Sequence, residues 1–158
     1  MPRKSPRTTK ICWFASRAKV VVCGGGMSGL ECALGLAMKG KDVTVVDMIP
    51  VDDFAKEIVK FTRNMLMHLL KEHGVKLVGE QKVTAFTDKG VATAGKDWKD
   101  YFYDCDTIVT AFGLRPNDEY LQEFMTLAPE VYPVGDVWYG EKSIGNANLT
   151  AFNFSMDI

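Results

Sequence analysis

The chain has 158 residues, of which 47% are hydrophobic and 25% charged, and its formal net charge is −1 at pH 7. This is the composition of an ordinary globular protein, and the near-neutral charge excludes a general attraction to nucleic acids or to membrane surfaces. Because no apolar run is long enough to span a membrane, we expect a soluble, cytoplasmic protein.

The first eighteen residues differ from the rest of the chain in charge. Six lysine and arginine residues occur up to Lys19, before the first acidic residue, Glu31. We interpret residues 1–18 as a basic, flexible tail, and the alternative is a targeting or nucleic-acid-binding arm.

Residues 19–40 predict a strand, a glycine-rich turn and a helix in direct succession. The strand is a valine run typical of a parallel strand buried on both faces, and apolar residues recur at helical spacing after the turn. The turn between them has the spacing Gly24-x-Gly26-x-x-Gly29. In dinucleotide-binding proteins these glycines permit a tight turn, close approach of the pyrophosphate and helix packing, respectively. We therefore predict a pyrophosphate site at the start of this helix.

A second predicted strand, Val43 to Val46, ends in Asp47. Asp47 follows Gly24 by 23 positions, close to the spacing of about 20 at which an acidic residue reaches the adenine ribose hydroxyls. The next residue, Met48, is also a candidate cofactor contact, and no arginine follows directly. Because a carboxylate repels the 2′-phosphate of NADP, the predicted cofactor is NAD(H). The alternative is a βαβ unit in which Asp47 only ends a strand.

The cysteines and histidines predict neither a metal site nor a redox pair, because none of them shows metal-ligand or CxxC spacing. We expect free thiols, with Cys23 and Cys32 as small buried side chains. A helix is predicted from Phe54 to His73, preceded by capping aspartates and closed by Gly74. Its apolar face would consist of Phe54, Ile58, Phe61, Met65 and Leu69.

From Val75 onward, short strands separated by turn signals predict an antiparallel meander: Val75 to Val78, Lys82 to Phe86, Gly90 to Ala94, and Tyr101 to Tyr103. A buried strand, Asp106 to Ala111, follows. The predicted fold class is α/β, a Rossmann-type central parallel sheet with a three-stranded antiparallel meander as one crossover.

Three later residues are further candidates for cofactor binding. Gly113 follows the last strand, where ligands bind in open α/β sheets, and its alternative role is that of a turn glycine. Gly135 and Asp136 follow a short apolar segment and precede a stretch, Ile144 to Ile158, that we predict to be helical. A strand, a Gly-Asp loop and a helix can also bind phosphate or ribose groups.

The order of these motifs resembles the flavoprotein oxidoreductases with two dinucleotide-binding domains, in which an NAD(P)H domain is inserted into an FAD domain. The matching segments are KVVVCGGGMSGLECA, VTVVD, the meander, DTIVTAFGLRPN and VYPVGD, and the resemblance covers residues 19 to 158. The sequence is most similar to the pyridine-nucleotide half of the old yellow enzyme-like group, which includes 2,4-dienoyl-CoA reductase and trimethylamine dehydrogenase.

The resemblance implies roles for individual residues. Gly25 and the amides of Met27 and Ser28 would join the three motif glycines at the NAD pyrophosphate, and Gly113 would lie on the nicotinamide side. Glu31 matches an acid near the nicotinamide, although a carboxylate in the first turn of a helix also complements the helix dipole. Gly135 and Asp136 match a segment that contacts FAD.

The resemblance also implies a domain organisation: residues 19–117 as the NAD(H)-binding domain and residues 118–158 as a return into an FAD domain. The second GxGxxG motif of the full-length enzymes is not in this sequence, so we expect this chain alone to lack full activity. The leading hypothesis is an NAD(H)-binding domain that positions NADH for hydride transfer to flavin, with a flavin domain or subunit as a partner. A stand-alone ADP- or NAD-binding regulatory module is the alternative. No residues are predicted to be catalytic, because the cofactors themselves would carry the chemistry.

Overall fold

A computed structural model of the chain describes residues 18–114, 121–139 and 143–156. The chain divides into two units, Met1–Phe112 and Gly113–Ile158. The basic tail predicted for residues 1–18 lies outside the described residues except for Ala18, and so does the predicted domain boundary after Asn117.

The first unit is built on a parallel sheet of β1 (Lys19–Cys23), β2 (Asp42–Val46), β3 (Lys76–Val78) and β7 (Thr107–Thr110). The strand order is β3-β2-β1-β7, and all neighbouring strands are parallel. The chain passes from β1 to β2 on one side, and the strand on the other side of β1 comes last in this unit. The carboxyl end of β1 is therefore a topological switch point, the position at which such sheets bind ligands.

Two helices, α1 (Met27–Met38) and α2 (Lys60–Glu72), pack on one face of this sheet. Val20 and Val22 of β1 point to this face and are fully buried with Leu30, Ala33 and other apolar residues. The predicted strand and the apolar face of α1 are confirmed. The positive φ of 76° at Gly40 also confirms the predicted end of α1.

The other face of the parallel sheet is covered by an antiparallel sheet of β4 (Gln81–Thr87), β5 (Gly90–Gly95) and β6 (Asp100–Asp104). Val21 and Cys23 point to this face, because side chains alternate along a strand. Both faces of β1 are thus buried, which explains its unbroken apolar run. The predicted α/β fold with a three-stranded crossover is confirmed. The segment Val75 to Val78, however, was wrongly predicted to belong to the meander, since β3 pairs with β2 in the parallel sheet.

The helix predicted from Phe54 begins only at Lys60. A short 3-10 turn (Val51–Asp53) precedes Phe54, which is fully buried, and Ala55 adopts a left-handed φ of 50° that interrupts helical geometry. Phe54 and Ile58 pack in the core as predicted, but the apolar face was wrong within α2, because Phe61 is 78% exposed and Leu66 and Leu70 are buried instead. Phe54 fills the core before the helix begins, so α2 turns a different set of residues inward.

The cysteines occupy contrasting positions. Cys23 and Cys105 are buried between the two sheets, whereas Cys32 is exposed on α1, contrary to the prediction of a buried side chain. Burial raises the pKa of the Cys23 thiol to about 11, so it stays protonated and weakly reactive at neutral pH. Cys12 lies outside the described residues.

The second unit contains α3 (Leu121–Phe124), α4 (Asp136–Tyr139) and α5 (Ile144–Ser155). The predicted C-terminal helix is confirmed as α5, and the Ser143 hydroxyl caps it by accepting a hydrogen bond from the Asn146 amide (3.1 Å). The rings of Tyr132 and Phe154 lie 5.4 Å apart. Within the described ranges, the helices are too short or too polar to span a membrane.

Candidate functional site

The glycine-rich turn connects β1 to α1 at the switch point of the parallel sheet. A Cβ atom added to Gly24 (φ 129°) would lie 2.3 Å from the carbonyl oxygen of Ala111, just after β7. A Cβ atom added to Gly29 would lie 2.1 Å from the carbonyl oxygen of Gly24. These close approaches require glycine at the first and third motif positions, in the tight turn and the helix packing of a dinucleotide-binding motif.

Asp47 joins the end of β2 to this turn. Its Oδ2 accepts a hydrogen bond of 2.6 Å from the Gly25 amide, and its Oδ1 accepts one of 3.3 Å from the Ile49 amide. The side chain is half-buried, so these bonds fix the carboxylate at the carboxyl edge of the sheet. The structure therefore brings Asp47 and the glycine-rich turn together, as the ribose prediction requires.

An apolar cavity of about 270 Å³ opens beside Asp47. It lies between the end of β2 and the strand β4, which carries an irregularity of register between Val83 and Ala85. Its volume is small for a whole ligand site and suits one ring system. The lining residues are Val46, Asp47, Met48, Gln81, Lys82, Val83, Thr84, Ala85, Phe86 and Phe112.

Gln81 connects this cavity to both sheets. Its backbone N–H donates a 2.9 Å hydrogen bond to the carbonyl of Asp47. Its side-chain Oε1 accepts bonds of 2.7 Å from the hydroxyls of Thr93, which is fully buried, and Tyr103. These three bonds hold the start of β4 against the end of β2 and fix one wall of the cavity.

Residues 51–59, which we call the strap, cross the glycine-rich turn. A Cβ atom added to Gly25 would lie 2.7 Å from the ring of Phe54, and the Ala55 amide donates a 2.9 Å hydrogen bond to the Gly25 carbonyl. Glu57 extends to the start of α1, where its Oε1 accepts a 2.8 Å bond from the Met27 amide. A carboxylate of the chain thus bonds to an amide predicted to hold pyrophosphate.

The other predicted residues of the first unit lie around this turn. Gly26 is the N-cap of α1, Ser28 is exposed in the first turn, and Met48 is 62% exposed at the rim of the cavity. Glu31 is exposed but follows the first turn of α1, so its alternative role as a first-turn carboxylate is wrong. The carboxylate at the start of α1 belongs to Glu57.

The predicted residues of the second unit have their own local geometry. Gly113 is exposed with a φ of 79°, and Gly135 has a φ of 71°. The Gly135 amide donates a 2.9 Å hydrogen bond to the hydroxyl of Thr150 on α5. Asp136 is exposed as the first residue of α4. The described parts of the chain contain no group of three or more His, Cys, Asp or Glu side chains that could hold a metal ion.

Sequence reasoning missed several residues of the site. Gln81, Val83 and Phe86 line the cavity, but they are distant from the glycine motif in sequence and carry no motif of their own. Phe112 also lines it and lies in the matching segment DTIVTAFGLRPN, but it was not predicted as a cofactor contact. Glu57 was missed for another reason, since its segment was read as the first turns of a helix. The positive φ at Ala55 has no signal in the sequence.

The turn, the fixed Asp47 carboxylate and the crossover sheet together form the geometry of a dinucleotide-binding domain, and a match to known proteins agrees with it. Residues 3–150 match the model of the pyridine nucleotide-disulphide oxidoreductase family. The chain belongs to this family. Pyridine nucleotide-disulphide oxidoreductases use NAD(H) and FAD, which confirms the predicted cofactors and the resemblance to flavoproteins at the level of this family.

Relatives in this family are much longer than the chain. A bilirubin reductase from Mediterraneibacter gnavus is 37% identical over 118 residues, which are 75% of this chain and 18% of that protein. An NADH oxidase from Methanocaldococcus jannaschii is 33% identical over 141 residues, covering 75% of this chain and 29% of the relative. A structure of 2-naphthoyl-CoA reductase with 2-naphthoyl-CoA matches with a TM-score of 0.71 at 25% identity, over 89% of this chain and 21% of that one.

Proposed function

We propose that this chain is the NAD(H)-binding domain of a flavin-dependent oxidoreductase and positions NADH for hydride transfer to flavin. The observation that carries the proposal is the Asp47 carboxylate, which is fixed 2.6 Å from the Gly25 amide at the edge of an apolar cavity. An acidic group between a glycine-rich turn and an apolar cavity matches the chemistry of adenosine joined to pyrophosphate.

The residues of the first unit fit the parts of a dinucleotide in order. The cavity beside Phe86 and Phe112 would take the adenine ring, and Asp47 would accept hydrogen bonds from the ribose hydroxyls. The start of α1 would face the pyrophosphate, and exposed Glu31 would lie toward the nicotinamide. In this arrangement the adenine ring stacks on an aromatic side chain, as nucleobases do in many proteins.

When bound, NADH supplies the hydride, and the chain supplies position and electrostatics. Asp47 orients the ribose and disfavours a 2′-phosphate because both groups are negative. The glycine-rich turn lets the backbone approach the ligand, and the two sheets hold the turn in place. Gly113, Gly135 and Asp136 stay predictions, the first for the nicotinamide side and the other two for FAD.

We also infer that the complete protein belongs to the old yellow enzyme-like group and contains a flavin domain that receives the hydride. The similarity to 2-naphthoyl-CoA reductase supports this assignment, since it spans 89% of the chain. Like 2,4-dienoyl-CoA reductase of that group, that protein is named as a reductase of an acyl-CoA. A cytoplasmic location is part of the same proposal.

Binding of NADH to the full chain, followed by fluorescence titration and calorimetry, tests the proposed function. We expect NADH to bind at micromolar to millimolar concentration and ADP to compete with it. Flavin released from the purified protein on denaturation would extend the result to FAD, whereas colourless protein that binds NADH would leave a nucleotide-binding module. Failure of both NADH and ADP to bind at millimolar concentration would overturn the proposal.

A matched pair of variants tests where the base binds. Phe86 lines the cavity and is 51% exposed, whereas Phe102 is 53% exposed on β6 and is not part of the cavity lining. We expect Phe86→Ala to weaken ADP binding about fivefold or more, because stacking contributes roughly 1–3 kcal/mol. Phe102→Ala should leave the affinity unchanged, and equal losses in both variants would contradict the placement of adenine.

A further inference from the structure

The strap places the Glu57 carboxylate at the start of α1, where the negatively charged pyrophosphate of the proposed ligand would bind. Met27 is the first residue of α1, so its amide N–H has no partner within the helix. The Glu57 carboxylate accepts this N–H at 2.8 Å and lies at the positive end of the helix dipole. A phosphate group bound to the start of α1 would make the same type of contact.

The contact is local to the motif. A Cβ atom added to Gly26 would lie 3.5 Å from Glu57 Oε1, so the carboxylate also lies close to the second motif glycine. This glycine is the one that lets a pyrophosphate approach the backbone. Two anions cannot both lie at this position without strong repulsion, because like charges at short range disfavour each other.

The strap is buried at Phe54 and Ala55 and exposed at Glu57. The Arg63 guanidinium on α2 donates hydrogen bonds to the carbonyls of Phe54 (2.6 Å) and Asp52 (2.7 Å). Glu57 is exposed, and the bond to Met27 connects its side chain to α1. The carboxylate can therefore leave the helix by side-chain rotation while Phe54 stays in the core.

We propose that Glu57 is an internal competitor of the dinucleotide: it holds the start of α1 in the free chain and must leave when pyrophosphate binds. This inference rests on the proposed function, because it concerns the regulation of the same site. Glu57 then sets the affinity for ligands that carry phosphate and has no effect on ligands that lack it. It also keeps the helix start satisfied when no nucleotide is bound.

The variant Glu57→Gln tests this competition with little change of shape. The glutamine oxygen can still accept the Met27 amide, so only the charge is removed. We expect NADH and ADP to bind on the order of fivefold more tightly, because an anion at a helix N-terminus no longer competes with the ligand. Adenosine, which has no phosphate, should bind with unchanged affinity.

Asp52→Asn is the matched control, because it removes one negative charge from the same strap and leaves the bond between Glu57 and Met27 in place. A gain in Glu57→Gln that exceeds the gain in Asp52→Asn supports the inference. If the wild-type chain binds NADH and Glu57→Gln binds it equally or more weakly, competition is overturned while the proposed function stands. An equal gain for adenosine also overturns it. Absence of NADH and ADP binding in all variants overturns the proposed function and this inference together.

Discussion

The two halves of the candidate site differ in whether the protein's own side chains cover them. At the phosphate half, the protein's own Phe54 covers Gly25 and its Glu57 bonds to the start of α1. At the adenosine half, a cavity of about 270 Å³ lies open beside Asp47. Both halves lie at the carboxyl edge of the same parallel sheet, and Gly25 contacts residues of each.

This difference shows that the glycine motif alone does not determine which groups contact the ligand. The glycine spacing determines only the path of the backbone from β1 to α1, which both halves share. Neighbouring segments then decide what the ligand meets: the strap supplies a carboxylate to one half, and the meander supplies apolar walls to the other. Substitutions in the shared turn, in the adenosine half and in strand β1 beneath both halves test this difference.

The largest effect is expected at the shared turn. In Gly29→Ala, the new methyl would lie 2.1 Å from the carbonyl oxygen of Gly24, so α1 must shift and both halves would be lost. We expect the free energy of unfolding to fall by about 2–4 kcal/mol and NADH binding to disappear. Urea unfolding and NADH titration measure these changes.

Gly35→Ala is the control for this variant. Gly35 is exposed on the same helix, and a Cβ atom there would meet nothing within 4 Å. Alanine should therefore raise the unfolding free energy by roughly 0.5–1 kcal/mol through helix propensity. Equal stabilities of the two variants would show that the turn tolerates a side chain, contrary to the close approach.

A smaller effect is expected from Asp47→Asn, which changes only the adenosine half. The amide oxygen can still accept the Gly25 N–H, but the charge that binds ribose and repels a 2′-phosphate is gone. We expect NADH to bind about tenfold more weakly, because one hydrogen bond to a charged group is lost. NADPH binding should be unchanged or stronger. Asp42→Asn, at the opposite end of β2, should leave both affinities as they are. An unchanged preference for NADH in Asp47→Asn would exclude the ribose assignment.

The smallest effect concerns Cys23, on the strand beneath both halves. Its thiol has a pKa of about 11 in the folded chain against 9.0 as its ordinary value, so above pH 9 the unfolded chain loses this proton first. Stability from this group is constant below about pH 9 and decreases as the pH rises toward 11. Between pH 8 and pH 10 we expect a loss of about 1 kcal/mol.

Urea midpoints across this pH range measure the effect of Cys23. The decrease should be smaller in Cys23→Ala and unchanged in Cys32→Ala, because Cys32 is exposed. If Cys23→Ala loses stability with pH as steeply as the wild type, another group is responsible for the alkaline effect.

The sequence predicted those parts of the fold whose cause is local. The valine run of β1, the apolar face of α1, the glycine turn and the position of Asp47 all depend on periodicity or on close backbone contacts. The meander was also recognisable from its turn signals. Its first predicted strand was assigned to the wrong sheet, because periodicity gives no information on which strand a short segment pairs with.

The parts that the sequence could not predict depend on tertiary contacts. Phe54 has the spacing of a helical core residue, but it packs on Gly25 outside any helix. Once Ala55 adopts a left-handed conformation, Glu57 faces α1 instead of continuing a helix. The cavity also depends on tertiary contacts, because Gln81 and Phe86 lie near the end of β2 only when the meander covers that face of the sheet.

The contact between Gly24 and Ala111 has a consequence for folding. The turn at the start of the chain is completed by a carbonyl at the end of β7, and the amide of Lys19 bonds to the side chain of Asp106, 87 residues later. Pairings between such distant positions form slowly, because loop closure precedes them. A ribosome must therefore release nearly all of the first unit before the nucleotide site can exist, and nucleotide binding would report that folding of this unit is complete.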